Sequence, residues 1–329
     1  MRSFVVILAL WISAPLIAAA AQDHSPAIAD AFQYLVDGDY EKAYGIAAPL
    51  AEASDPDAQH LLGYLYENGY GVDRDIQRAI ELYQASALQG QADAQFALGE
   101  LALFGSNVSR DEATAAGWYK LAARQGHPRA KVRLGYLYAQ GAGVALDKKK
   151  ALSLFREAAI AGEPEGQFNL GVAYLSGDGV AQDYAKAVTW FEKSAEQGHP
   201  DSQYNLALIY DAGLAGADDT EKAMRWMRAA AEGGLPSAMV AMGLFVHQGR
   251  AGAGDDKAAD WFERAAKAGD AQGQFLFAAA LAEGDGREKN PGQALTWLDR
   301  ALAQTNGLEP GMRENAKALR QRLRAGPDE

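Results

Sequence analysis

Asp57 to Gly90 reads DAQHLLGYLYENGYGVDRDIQRAIELYQASALQG, and its reading decides the fold. It predicts one helix, a glycine loop, a second helix and a glycine stop. Three anchors carry the same pattern down the chain. The small residue after the first-helix leucine recurs as Gly63, Gly99, Gly135, Gly171, Ala207, Gly243 and Ala278. An alanine in the second helix recurs as Ala79, Ala115, Ala151, Ala187, Ala223, Ala258 and Ala294. A closing glycine recurs as Gly90, Gly126, Gly162, Gly198, Gly234 and Gly269. The step is 36 residues, with a single step of 35 that falls between Gly243 and Ala258. A fixed period of this length is the mark of a stacked repeat architecture.

Each anchor has a physical reason. Leu62, Gly63 and Tyr66 share one helix face, as do Leu170, Gly171 and Tyr174. The small residue between them lets the partner helix approach, where a leucine would overpack the contact at about 1–3 kcal/mol. Three positions after each second-helix alanine stands a large residue: Leu82, Trp118, Leu154, Trp190, Trp226, Trp261 and Trp297. These tryptophans are expected to supply most of the buried area, and Trp190→Ala to cost about 3–5 kcal/mol. The loops Gly69-Tyr70-Gly71-Val72, Gly141-Ala142-Gly143-Val144 and Gly177-Asp178-Gly179-Val180 supply helix C-caps. Four residues before each alanine stand Asp75, Asp111, Asp147, Asp183, Asp219, Gly254 and Asn290, all favoured N-cap types.

The pattern A-x-x-x-L-G-x-x-Y-x-x-G-x-G-V-x-x-D-x-x-K-A-x-x-W-x-x-x-A-A-x-x-G resembles the SEL-one-like repeat (SLR) family of the tetratricopeptide-like superfamily. Gly166 to Gly198 matches it best. The resemblance implies an all-α, right-handed α/α superhelical solenoid of about eight helix-turn-helix repeats. It also implies adaptor or scaffold roles with varied partners.

The expected organisation has four parts. Residues 1–21 read as a signal peptide: Arg2, an apolar run from Phe4, and Ala19-Ala20-Ala21 before Gln22. Residues 22–56 read as a disordered start, Gln22 to Pro26, and a degenerate tetratricopeptide-like cap. In that cap Ala43 and Ile46 lie one period upstream of Ala79 and Leu82. Residues 57–304 hold seven repeats, and 305–329 a capping helix and tail. In that helix Met312, Ala316, Leu319 and Leu323 share a face, while Arg313, Lys317, Arg320, Arg322 and Arg324 are expected to face water. Its basic face is an alternative dock for an acidic partner. Asn107-Val108-Ser109 reads as a loop variant.

A formal net charge of −12 argues against nucleic-acid or anionic-membrane partners. No stretch after the signal segment is long enough to span a bilayer. With no cysteine the chain has no disulfide, no thiolate ligand and no thiol to protect in an oxidising compartment. An exported, periplasmic address is therefore expected, with extracellular as the alternative.

No motif calls for catalysis, a cofactor or a metal. His24, His60, His127, His199 and His247 are widely spaced and expected at the surface. The G-x-G loops lack a preceding strand and a P-loop lysine. There is no G-x-S-x-G, S-x-x-K, S-D-N or K-T-G. Asp218-Asp219 and Asp255-Asp256 stand at helix N-termini, where capping explains them.

By resemblance to tetratricopeptide arrays, first helices line the concave surface. Their outward positions give His60, Tyr64, Glu67, Phe96, Glu100, Leu103, Tyr136, Phe168, Tyr204 and Asp211 as partner-binding candidates. The aromatic stripe Phe96, Phe168, Tyr204 and Phe275 has inter-repeat packing as its competing explanation. Acids mixed with tyrosines complement a basic, partly apolar protein or peptide segment. A cell-wall or β-lactam-acting hydrolase and an envelope polysaccharide-binding module remain as alternatives to the scaffold.

Overall fold

The computed structural model describes residues 26–105, 110–216, 219–250 and 256–325. The signal segment, the loop at Asn107, and Asp218, Gly254 and Asp255 lie outside the described residues. The start expected to be disordered lies there too, except that Pro26 already opens a helix.

Among the described residues there are seventeen helices and no strand. The first pair is α1 (Pro26–Val36) and α2 (Tyr40–Glu52). Then come α3 (Pro56–Asn68), α4 (Ile76–Leu88), α5 (Ala92–Phe104), α6 (Glu112–Arg124), α7 (Pro128–Gln140) and α8 (Lys148–Ile160). These are followed by α9 (Pro164–Ser176), α10 (Tyr184–Glu196), α11 (Pro200–Asp211), α12 (Thr220–Glu232), α13 (Pro236–His247) and α14 (Ala258–Lys267). The last three are α15 (Ala271–Glu283), α16 (Pro291–Ala303) and α17 (Pro310–Ala325). Consecutive helices pack in pairs, as in a solenoid of helical repeats. Contacts divide the chain into two compact units, the first ending at Ala158 and the second starting at Ala159.

The caps follow from the sequence. Asp75, Asp111, Asp147, Asp183, Asp219 and Asn290 each accept a main-chain N–H two or three residues on, at 2.9–3.0 Å. Gly69 and Gly177 close α3 and α9 in the left-handed region, at φ 71° and 77°, which an L side chain rarely adopts. The prolines after the closing glycines do more than stop a helix. Pro128, Pro164, Pro200 and Pro236 each open the next one, where a missing N–H costs nothing.

The core corrects the expectation for tryptophan. Trp190 is half-buried, as are Trp118, Trp226 and Trp297; among the five only Trp261 is buried. The fully packed side chain is the next residue along. Tyr83, Tyr119, Phe155, Phe191, Met227, Phe262 and Leu298 hold this position, and all are buried. They face the first-helix anchor. A Cβ on Gly63 would lie 2.8 Å from the Tyr83 ring, on Gly135 2.6 Å from Phe155, and on Gly171 2.7 Å from Phe191. Gly99 and Gly243 are equally closed by Tyr119 and Phe262. Where the anchor is alanine, the partner is Met227 or Leu298 instead of a ring. The tryptophans lie on the flank, where Lys193 covers Trp190 at 4.4 Å and Arg300 covers Trp297 at 4.6 Å.

A second set of contacts joins neighbouring helix pairs. Gln59, Gln95, Gln167, Gln203 and Gln274 are buried in first helices. Each donates its Nε2 to a carbonyl of the preceding pair: Ala51, Ala87, Ala159, Ala195 or Ala266, at 3.1–3.4 Å. Four of them are closed from the other side. Gln89, Gln125, Gln197 and Gln304 donate to Oε1 of Gln59, Gln95, Gln167 and Gln274 at 2.8–3.1 Å. Buried amides are satisfied this way without water.

In the second unit α17 lays Ala316, Met312, Leu319 and Leu323 on the cluster of Phe277 and Leu298. Its basic residues do not simply face water. Arg313 donates to the carbonyls of Leu302 and Thr305 at 3.2 and 2.8 Å, and Arg320 and Arg324 pair with Asp299. Those charges are engaged within the chain.

Candidate interaction face

The candidate residues fall on first helices of both units. In the first unit α3 carries His60, Tyr64 and Glu67, α5 carries Phe96 and Glu100, and α7 carries Tyr136. In the second unit α9 carries Phe168, and α11 carries Tyr204 and Asp211.

Several are committed to the protein itself. Phe96 is 7% exposed, packed between the His127 ring at 4.8 Å and the Arg129 guanidinium at 4.7 Å. Packing explains it, and it does not present its ring to a partner. Phe168 is half-buried and stacks on His199 at 4.9 Å. Tyr204 packs against the Met224–Met242 cluster, and burial raises its hydroxyl pKa. Asp211 is paired with Arg250 across the second unit and is no open acid. Glu100 accepts the Tyr119 hydroxyl at 2.5 Å and the Arg133 Nε at 3.0 Å, so its charge is balanced.

His247 is exposed as expected and His24 lies outside the described residues, but His60, His127 and His199 depart from the surface expectation. His127 and His199 are N-caps, their Nδ1 accepting the N–H of Ala130 at 3.1 Å and Ser202 at 3.3 Å. Burial lowers the pKa of His199. The His127 Nε2 lies 3.2 Å from Asp93. Burial alone would raise the Asp93 carboxyl, but the His127 hydrogen bond and the nearby His60 hold it well below the usual range. His60 is half-buried beside the Tyr83 ring at 5.7 Å. The His127 and His199 rings are drawn inward because the turns before α7 and α11 use them as capping acceptors, a role the spacing alone did not reveal.

What remains at the surface of the first unit is an acid between aromatic rings. Tyr64 packs edge-on to Tyr70 at 6.0 Å, and Tyr70 stacks on Tyr40 at 4.4 Å. Burial pushes the Tyr64 hydroxyl up to about 12, with Tyr70 and Glu67 adding to it. Glu67 accepts the Tyr83 hydroxyl at 2.7 Å. Its own carboxyl is raised, first by burial and then by Glu100, against the pull of Tyr83 and Arg74. Two periods along from Tyr64, Tyr136 is half-buried and edge-on to Phe155 at 5.2 Å. Tyr40, Tyr70 and Tyr83 were not among the sequence candidates. For Tyr40 and Tyr70 the signal was available in the tyrosine density of residues 34–70.

Among the described residues no group of His, Asp and Glu is placed to hold a metal, and no helix is long and apolar enough to cross a membrane. The arrangement offers surface recognition: a half-desolvated carboxylate, hydroxyls and ring faces on helices held rigid by packing.

Known proteins place this frame. The model of the Sel1 repeat matches seven consecutive segments, 56–91, 92–127, 128–163, 164–199, 200–235, 236–270 and 271–306. The sixth is the segment one residue short. The structure is similar to that of a Sel1 repeat protein from Oxalobacter formigenes, with 29% identity over 92% of this chain and 84% of that chain and a TM-score of 0.65. It also matches c5321, a protective antigen present in uropathogenic Escherichia coli strains displaying an SLR fold. That match has 26% identity, covers 90% and 83% of the two chains, and has a TM-score of 0.48. No curated protein matches the chain.

Proposed function

The chain belongs to the Sel1 repeat family, whose repeats are generally non-catalytic protein–protein interaction scaffolds, and on that premise we propose that it is an exported scaffold binding a protein segment on the first-helix face of its first unit. One observation carries the choice of face. Tyr64, Glu67 and Tyr136 stay half-buried and chemically mixed there, whereas Glu100 and Asp211 are closed by arginines of the same chain. Half-buried aromatic and acidic groups on rigid helices lose little entropy on binding and supply the anchors of a recognition site.

Export rests on the apolar segment before Gln22 and on the lack of cysteine. The periplasm is the proposed address. N-terminal sequencing of the protein recovered from its native cells should begin near Gln22; an intact Met1 on protein in the membrane fraction would remove this part of the proposal.

The binding claim is tested by affinity capture from native envelope extract. The wild-type chain should retain a partner that Tyr64→Ala/Glu67→Gln/Tyr136→Ala loses while keeping its helix content. Recovery of the same partner at full yield would place binding elsewhere.

A further inference from the structure

The second repeat holds a worked example of what a tyrosine–glutamate pair on this face binds. There the Tyr119 hydroxyl donates to Glu100 at 2.5 Å, and Arg133, one helix pair on, donates its Nε to the same oxygen at 3.0 Å. The three side chains form a tyrosine–carboxylate–guanidinium triad. The first repeat holds the same tyrosine but sets its acid one turn further along: Tyr64 stands 36 before Glu100, and Glu67 supplies the carboxylate instead. The Tyr83 hydroxyl donates to Glu67 at 2.7 Å. The residue 36 before Arg133 is Ala97, which supplies no cation. Arg74, whose charge is felt at Glu67, spends its Nε on the main-chain carbonyl of that residue at 2.8 Å. Among the described residues no cation makes an ion pair with Glu67.

The surroundings suit an incoming planar cation. Tyr64 lies one turn back on the same helix, half-buried, with its ring at the edge of the Tyr40–Tyr70 stack. Aromatic faces attract guanidinium groups, and a carboxylate takes them with directed hydrogen bonds. The Glu100 carboxylate on the neighbouring α5, though held by Arg133, is still felt at Glu67. Burial costs the Glu67 carboxylate more than Tyr83 and Arg74 return, and a cation brought by a partner relieves it. The net charge of −12 draws a basic segment toward the chain.

We propose that Glu67, with Tyr83 behind it and Tyr64 beside it, receives the guanidinium of an arginine from the partner segment, completing in trans the triad that Arg133 completes in cis in the next repeat. This names the partner chemistry of the proposed scaffold and rests on that reading for its biological setting. It does not rest on it for its test.

The full chain is titrated with N-acetyl-argininamide, and with N-acetyl-citrullinamide as an uncharged probe of the same shape, following Tyr and Glu side-chain NMR signals. The argininamide should shift Tyr64, Glu67 and Tyr83 saturably, and the citrullinamide should not at equal concentration. Glu67→Gln should weaken the argininamide about tenfold or more, the size expected for one charge-assisted hydrogen bond. Ala97→Arg, which gives the first repeat the residue of the second, should occupy the site from within and abolish the titration. Argininamide binding unchanged in both variants, or matched by the citrullinamide, would overturn the assignment. In that event partner capture through Tyr64 and Tyr136 would still judge the scaffold on its own.

Discussion

The fourth and fifth repeats, residues 164–199 and 200–235, are the same frame built two ways within the second unit. In the fourth, Gly171 meets the Phe191 ring and Gln167 is closed by Gln197 at 2.9 Å. In the fifth, Ala207 meets Met227, and the residue in place of the second glutamine is Gly233. Gln203 still donates to Ala195 at 3.1 Å, but its Oε1 is buried with no hydrogen-bond partner among the described residues. The difference teaches that the anchor and its facing residue vary as a pair. A methyl on the first helix requires a slimmer, flexible side chain on the second. The glutamine pair has no such safeguard, and one half persists alone. Elsewhere both halves go together: Lys131 stands with Ala161, and Met239 with Ala268.

The largest effect should come from breaking the fourth repeat's core. Phe191→Ala should cost about 3–5 kcal/mol in urea unfolding, with Trp190→Ala well below it, because Phe191 is 0% exposed and Trp190 is half-buried. An equal loss at both would restore tryptophan to the core.

Next comes Gly171→Ala, whose Cβ would sit 2.7 Å from the Phe191 ring. It should cost about 1–3 kcal/mol. Gly171→Ala/Phe191→Met, which converts the fourth pair into the fifth, should cost less than the sum of its two parts, a coupling of about 0.5–3 kcal/mol. Strict additivity in the double-mutant cycle would show that the pairing is accidental.

Gly233→Gln runs the other way. Gly233 has φ −68° and ψ −1°, close to the −84° and 5° of Gln197, so a side chain fits its backbone. A Cβ there would lie 3.9 Å from the orphaned Oε1 of Gln203. Supplying the missing donor, and removing a glycine from the unfolded chain, should add about 1–2 kcal/mol. A differential scanning measurement showing no gain would mean the orphan is already satisfied.

The smallest effect is expected in the first repeat, where a polar group departs from the frame for another reason. Burial raises the Glu67 carboxyl in the folded chain above its unfolded value. The folded state then holds the proton more tightly, so stability is full below the unfolded value and falls as pH rises through the folded one. Glu67→Gln should therefore unfold later than wild type at pH 7, and the gap should close at acid pH. A gap that widens on acidification would reverse the sign.

Much of this frame is legible in the sequence, because helix period, glycine stops and aspartate caps act locally. The six aspartate and asparagine caps act at the positions their spacing indicates. What escapes reading depends on contacts between residues 20 to 39 positions apart. Trp190 is larger than Phe191, and both suit an inward helix face; only the approach of Gly171 distinguishes them. Gln167 and Gln197 read as surface residues until their pairing is seen. On the candidate face, Tyr64 and Glu67 were visible as outward positions of a first helix. The closure of Glu100 and Asp211 by Arg133 and Arg250 was not, since a salt bridge between repeats leaves no local trace.

The division between frame and face is tested most directly by hydrogen exchange on the chain with its captured partner bound. Protection should rise on α3 and α7, around Tyr64, Glu67 and Tyr136, and stay unchanged on the second helices α4 and α6. Protection confined to the second helices, with the amides of α3 and α7 exchanging as in the free chain, would contradict the account.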